Sequence, residues 1–359
     1  MKVMHIEGGK HLYGGARQVL YIMEGLAGNG VDNLLVCPLG SAISQQAGAS
    51  AQVLRLKWPH ELDLGLILRI RALIKIHKPD VVHLHSRRGA DSLGLIAAKL
   101  SSTPVVISRR VDNPEGKLAM SLKYPLVDRV IAISAGIGRV LLSQGLNSKK
   151  LRVIPSAVDP RPYQTHAPRG EFTETFNLPQ DALTIGVVAQ LIERKGHRFL
   201  LEVLPELKLK HPNLQVLIFG QGPLQSALER QTQDLNYVTL CGFRDDLTRW
   251  MGCLDIVAHP AETEGLGVSL LQAASASVAI CASSVGGIPE IVIDQETGLL
   301  VESAQTEQLK KALDELLSSK LLRDKLGSAA QAHVMRHFSI DQMVNGNLAV
   351  YRELTSAAS

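Results

Sequence analysis

The chain has 359 residues, 45% of them apolar, 20% charged and only 4% aromatic, with a formal net charge of +4. That length suits two α/β domains better than one, and that apolar share excludes a disordered or low-complexity chain. Residues 1–161 carry 22 Lys and Arg against 11 Asp and Glu, while the remainder carries 16 against 23, so the basic first half either meets an anionic partner or spreads its charge over solvated faces.

The first element is a strand, Lys2–Ile6, in MKVMHI. It lacks the pattern of a signal peptide. Tyr13-Gly14-Gly15-Ala16-Arg17 follows, at the start of a helical stretch over Gly15–Leu26. The glycine pair is either an approach of backbone to phosphate at a helix N-terminus or a plain tight turn. A strand at Asn33–Cys37 and a helix at Leu64–Lys78 come next, the helix with Arg69, Arg71 and Lys75 on it. Its apolar residues are expected on the sheet, with a membrane face as the alternative. The strand Val81–Leu84 leads into His85, Ser86, Arg87 and Arg88. His83 and His85 share a face if the strand continues. They read as polar groups at a site or as hydrogen-bonded core histidines. The strand Val105–Ser108 ends on Arg109 and Arg110, which would complete an anion-seeking rim of four arginines. Strands at Val130–Ser134 and Arg152–Ile154 close the first series.

Asp159–Gly170 holds three prolines and no apolar periodicity, so it reads as a linker. The strand series then restarts: Thr184–Ala189, Gln215–Phe219, Val238–Leu240, Asp255–Ala258 and Val278–Ala282. Strands alternating with helices argue for parallel sheets. The expected division is 1–160, a linker at 161–170, 171–340, and a closing helix at 341–359. Ligands of such sheets bind beyond the carboxyl ends of the strands, and two sheets facing one another would share a central cleft.

The loops of the second series carry the chemistry. Arg194-Lys195-Gly196-His197 puts adjacent cations between a strand and the helix Phe199–Lys210; this suits a diphosphate or an ordinary basic turn. Gly220-Gln221-Gly222-Pro223 is a turn where backbone can lie against a ring or ribose. His259-Pro-Ala-Glu-Thr-Glu264-Gly265-Leu266-Gly267-Val268 opens a helix that contains Gln272. Eight helical residues from Glu264 to Gln272 span about 12 Å, near the sugar-to-ribose length of an extended sugar nucleotide. The helix N-terminus between them would face the diphosphate. Spacing alone equally allows a terminal charge and a solvated Gln. Gly286-Gly287 before Ile288-Pro289-Glu290 could extend the cradle. Cys37, Cys241, Cys253 and Cys281 are scattered without a CxxC pair, so no zinc or redox motif is read. No apolar run reaches 18 residues, so no spanning helix is expected, and a cytoplasmic location, with peripheral attachment to a membrane, is the reading. Too few aromatics accompany the cations for nucleic acid.

In this order the motifs resemble the retaining family 4 glycosyltransferases of the GT-B fold. The resemblance rests on Gly14-Gly15 before Arg17, DVVHLHS at 80–86, VIAIS at 130–134 and RVIPSAVD at 152–159. It continues through KGH at 195–197, GQGP at 220–223, CGFRDD at 241–246, EGLG at 264–267, GGIPE at 286–290 and the closing FSIDQM…YREL. The resemblance implies two Rossmann-like domains. It implies transfer from a nucleotide diphosphate sugar, a UDP-sugar by preference, to a glycan or lipid-linked acceptor. The products would be lipopolysaccharide, capsule or other surface polysaccharide. By the same resemblance Lys195 neutralises the leaving diphosphate and Glu264 contacts the donor sugar. Leu266, Gly267 and Val268 offer backbone beside it, with Gly265 in the same turn. Phe243 and Arg244 lie along the base, and Gly14 and Gly15 approach donor phosphates or acceptor.

Three positions depart from the family. Gln272 replaces the second acid of its E-x7-E element. Gln190 replaces an Arg before the KG loop, where Arg194 could supply the charge. Ser108-Arg109-Arg110 replaces a segment bearing a His near the donor sugar, and favours an anionic donor sugar or acceptor. Front-face transfer with retention and no metal is implied, and no DxD triplet is present. A sugar-nucleotide 2-epimerase and a non-catalytic sugar-nucleotide binder are the alternatives on this fold.

Overall fold

A computed structural model describes residues 1–87 and 89–356. Arg88 and positions 357–359 of the expected closing helix therefore lie outside the described residues. The chain divides into two compact units: residues 1–157 with the terminal segment from Ile340, and Val158–Ser339.

The first unit has seven strands: β1 (Lys2–Ile6), β2 (Asp32–Pro38), β3 (Gln52–Leu56), β4 (Val81–Leu84), β5 (Val105–Arg109), β6 (Arg129–Ala132) and β7 (Leu151–Val153). They form one parallel sheet in the order β3-β2-β1-β4-β5-β6-β7. The second unit has β8 (Leu183–Val188), β9 (Leu214–Phe219), β10 (Val238–Gly242), β11 (Ile256–His259), β12 (Ala279–Ser283) and β13 (Leu299–Val301). These are parallel in the order β10-β9-β8-β11-β12-β13. Both orders reverse once, between β1 and β4 and between β8 and β11, and such a switch point is where an open α/β sheet takes its ligand.

Consecutive buried residues such as Leu34, Leu35 and Val36 show both faces of the sheet covered. That is why these strands read as unbroken apolar runs. Two strands carry no such signal. β3 is an edge strand with no fully buried residue, and β13 has three residues.

The proline-rich stretch is not a free linker. It packs onto the second unit: Tyr163 and Ala167 are buried, Ala167 N donates to Arg249 O at 3.0 Å, and Arg169–Thr175 is helical with Phe172 fully buried. The terminal helix Ile340–Ser356 belongs to the first unit. It lies on the helix Gly14–Gly28 so closely that a Cβ on Gly25 would come within 2.4 Å of Val344 Cγ2. Glu353 ties it to Arg129 and Arg152 at 2.6 and 2.7 Å. In the helix Gly65–His77, Leu66, Ile70 and Ile74 are buried, and the helix packs along Ala90–Lys99. Leu68 and Ile76 are instead 66% and 71% exposed, next to the equally exposed Leu64.

Candidate active site

In the second unit the loops after β8 and β11 meet at the switch point. Gly196 makes this possible: it holds φ +70°, and a Cβ there would lie 1.8 Å from Pro260 O. The loops are stitched by Glu262 N donating to Arg194 O at 2.8 Å and by Arg194 Nη1 donating to Thr263 O at 3.1 Å. This contact brings the buried Lys195 Nζ onto Oε2 of the half-buried Glu264 as an ion pair. His259, at the end of β11, donates from Nε2 to the same carboxylate oxygen at 2.9 Å. Burial pushes the Glu264 pKa up. The His259 hydrogen bond and the Lys195 charge outweigh it and hold the carboxyl well below the usual range. Burial lowers the His259 pKa, against the pull of Glu264. The site is therefore an ionised carboxylate gripped by a lysine and an imidazole.

Glu264 leads through Gly265 and Leu266 to Gly267, which caps the helix Val268–Ser275 at φ +97°. No side chain caps that helix and no acid lies in its first turn, so its amides face outward as an anion-binding end. Gly287 N reaches Glu264 O at 3.3 Å, bringing the Gly286-Gly287 turn to the same place. Gln272 is half-buried, one helix span further on.

The other expected donor residues fare differently. Gly220 and Gly222 are required for packing, since a Cβ would meet Ala189 O at 1.9 Å and Leu191 O at 2.5 Å. Arg244 is forked onto Asp246, which also accepts from Trp250, while Phe243 beside it is 59% exposed. Gln190 is exposed. His259, which the sequence reading named only as the start of the motif, joins this cluster. Its position at the end of a buried strand, five residues before Glu264, is the signal that could have found it.

In the first unit a cavity of about 260 Å³ opens beyond β1, β4 and β5, lined among others by Glu7, Gly15, His85, Arg87, Arg109 and Arg110. The expected rim of free arginines is corrected here. Arg87 and Arg109 both pair with Glu115, at 3.1 and 2.9 Å, and Lys123 joins them. Arg110 alone has no hydrogen bond or ion pair among the described residues, and its buried Nε is unpartnered. Burial lowers its pKa to about 10, which leaves it a cation at neutral pH.

His83 and His85 are joined by His5, its neighbour across β1 and β4. The three offer nitrogens within 4.8 Å of one another. Five of the six ring nitrogens are committed: His5 to His85 and Asn33, His83 to Tyr351 and Ser108, His85 to His5. A metal would have to break these bonds beside the Arg110 charge, so the set reads as a hydrogen-bonded core with one open nitrogen.

Comparisons with known proteins agree with this architecture. The family model "Glycosyltransferase Family 4" matches residues 13–161, and "Glycosyl transferases group 1" matches residues 169–333. A GDP-mannose-dependent phosphatidylinositol monomannoside mannosyltransferase of Corynebacterium glutamicum is 32% identical over 202 residues, 53% of each chain. The sulfoquinovosyl transferase SQD2 of Arabidopsis thaliana is 28% identical over 77% of this chain and 57% of its own. The match thus spans about half the length of such curated relatives. A glycosyltransferase of Rickettsia africae superposes with a TM-score of 0.86 at 21% identity, covering 98% of both chains. Anabaena HepE in complex with UDP and glucose gives 0.86 at 18%, covering 98% of this chain and all of its own. Two parallel-sheet units with family matches in each place this chain in the family 4 glycosyltransferases of the GT-B fold.

Proposed function

We propose that this protein transfers a sugar, with retention, from a nucleotide diphosphate sugar to a glycan or lipid-linked acceptor, and that it needs no metal. The observation that carries the reading is the Lys195–Glu264–His259 cluster beside the uncapped N-terminus of Val268–Ser275. The donor diphosphate would lie against that helix end and Lys195. Together they stabilise the negative charge that develops as the glycosidic bond breaks. Glu264, held ionised, accepts hydrogen bonds from donor sugar hydroxyls, and Gln272 meets the ribose. The departing phosphate takes the acceptor proton. UDP is the favoured nucleotide, and the UDP complex of HepE supports it. The relatives named for GDP-mannose make GDP the competitor.

Calorimetry of the purified protein against UDP, GDP and their sugars tests this, with Lys195→Ala as control. Saturable UDP binding that vanishes in the variant is expected; binding indifferent to Lys195 would refute the site.

Surface-glycan synthesis on the inner face of a cell membrane is the proposed setting. Some relatives are named for lipids, such as phosphatidylinositol monomannosides, and one for D-inositol 3-phosphate. No described helix is long and apolar enough to cross a membrane. The exposed Leu64, Leu68 and Ile76 beside basic residues of Gly65–His77 support a peripheral contact. Co-sedimentation with phosphatidylglycerol vesicles at low salt, lost in Leu68→Glu/Ile76→Glu, is the expected result, and unchanged sedimentation would exclude this face.

A further inference from the structure

We infer that the cavity of the first unit is a binding site for a hydroxyl-bearing anion, in which Arg110 takes the phosphate or carboxylate and His85 Nδ1 takes a hydroxyl proton. The proposal deepens the acceptor reading given above and rests on it for its place in the reaction.

The hydroxyl half follows from the tautomers. Asn33 donates through Nδ2 to Met23 O and Ser50 O at 2.9 and 3.0 Å, which fixes its Oδ1 toward His5 Nε2 at 3.2 Å. His5 therefore donates from Nε2 and presents a lone pair on Nδ1. His85 Nε2 lies 2.9 Å from that nitrogen and must donate to it. A neutral imidazole has one donor and one acceptor, so His85 Nδ1 is left as a bare acceptor. His85 is 1% exposed, and this nitrogen has no partner. Burial, with the neighbouring His83, His5 and Arg110, keeps the ring neutral. A buried acceptor without a donor costs about 1–3 kcal/mol, and a ligand hydroxyl is the group that would satisfy it.

The anionic half follows from charge. Arg87, Arg109 and Lys123 gather onto Glu115 and leave Arg110 out. Glu7 lies in the same cavity, accepts from Gly9 N at 2.8 Å and acts through its charge on Arg110, whose Nε still has no hydrogen-bond partner. The Arg110 stem runs beside the start of Gly14–Gly28, its Cδ 3.5 Å from where a Gly15 Cβ would be. That helix has no side-chain cap and no acid in its first turn. Guanidinium and helix end therefore favour the same charge at the same cavity. An anion that carries no O–H, such as sulfate, is a poor match, since one wall is a hydrogen-bond acceptor.

The test titrates the full chain calorimetrically with sn-glycerol 3-phosphate, glucuronate, sulfate and glycerol. Glycerol 3-phosphate or glucuronate should bind, whichever is tighter identifying a phosphate or a carboxylate source, and glycerol should not. Arg110→Gln should weaken the better ligand at least about tenfold, as loss of a charged hydrogen bond does, with Arg110→Lys intermediate. His85→Phe should remove the advantage over sulfate and leave sulfate binding itself unchanged. UDP affinity, which reads the second unit, should stay within about threefold in Arg110→Gln. No saturable binding of either organic anion, or equal binding by wild type and Arg110→Gln, overturns the proposal. An equal loss of UDP affinity assigns Arg110 to the donor phosphates and also overturns it. Absence of UDP binding in the wild type counts instead against the transferase reading, because the anion titration does not depend on turnover.

Discussion

Gly196→Ala is the sharpest probe of how the second unit builds its site. At φ +70° an alanine pays about 1–2 kcal/mol for the left-handed conformation alone. Its Cβ would also lie 1.8 Å from Pro260 O and 2.8 Å from the carbonyl carbon, both backbone atoms that no rotamer change can move. To reach even 3.0 Å the two loops must part by about 1.2 Å, a displacement that costs about 1–3 kcal/mol by analogy with overpacked cores. The expected loss is thus about 2–5 kcal/mol, read by urea denaturation. Because the same contact seats Lys195 on Glu264, UDP affinity should fall with it, by about tenfold or more. Gly170→Ala is the control: its Cβ would meet nothing within 4 Å in a helix, and it should be neutral or stabilising by up to about 1 kcal/mol. Wild-type stability together with wild-type UDP affinity in Gly196→Ala would refute the reasoning.

Four further outcomes are expected. Lys195→Ala should abolish transfer and, by removing the cation paired with the Glu264 carboxylate, cost up to about 3 kcal/mol of stability in denaturant melts. Gln272→Glu should remain active in a nucleotide-release assay; complete inactivity would mean that Gln272 has another task. Gly25→Ala should destabilise the first unit by about 1–3 kcal/mol through its clash with Val344, and equal melting temperatures would argue against the terminal helix packing there. Acid should unfold the protein early. The His5 and His197 pKa values are lowered by burial to about 4 from 6.5, and His83 and His85 lie well below 6.5. A depressed histidine leaves stability intact above pH 6.5, where both states are neutral. As pH falls from 6.5 toward the folded value, the unfolded state binds the proton first and stability is lost at up to about 1.4 kcal/mol per pH unit per histidine. Stability that is flat from pH 7 to 5 would contradict this burial.

The alternation of strands and the order of motifs carried the two-unit architecture because parallel strands buried on both faces print themselves as apolar runs. What they could not carry was pairing across the sheet. His5 sits in a plain opening strand, and only the switch-point order sets it beside His83 and against His85. Glu115 lies in a stretch with no periodic signal, so its capture of Arg87 and Arg109 was invisible, and four arginines read as one free rim. The prolines of 159–170 announce a break in the rhythm of elements but not its cause. Here they hold an irregular segment against the second unit, with Tyr163 and Phe172 buried. Lys195 and Glu264 were legible singly. Their contact depends on Gly196 meeting Pro260, a packing fact between loops 64 residues apart.

The most direct test of the central claim is release of nucleoside diphosphate from a panel of UDP- and GDP-sugars, by wild type and Lys195→Ala side by side. One donor, hydrolysed or transferred by the wild type and untouched by the variant, is the expected result. A full panel without turnover or binding, or turnover indifferent to Lys195, would contradict it.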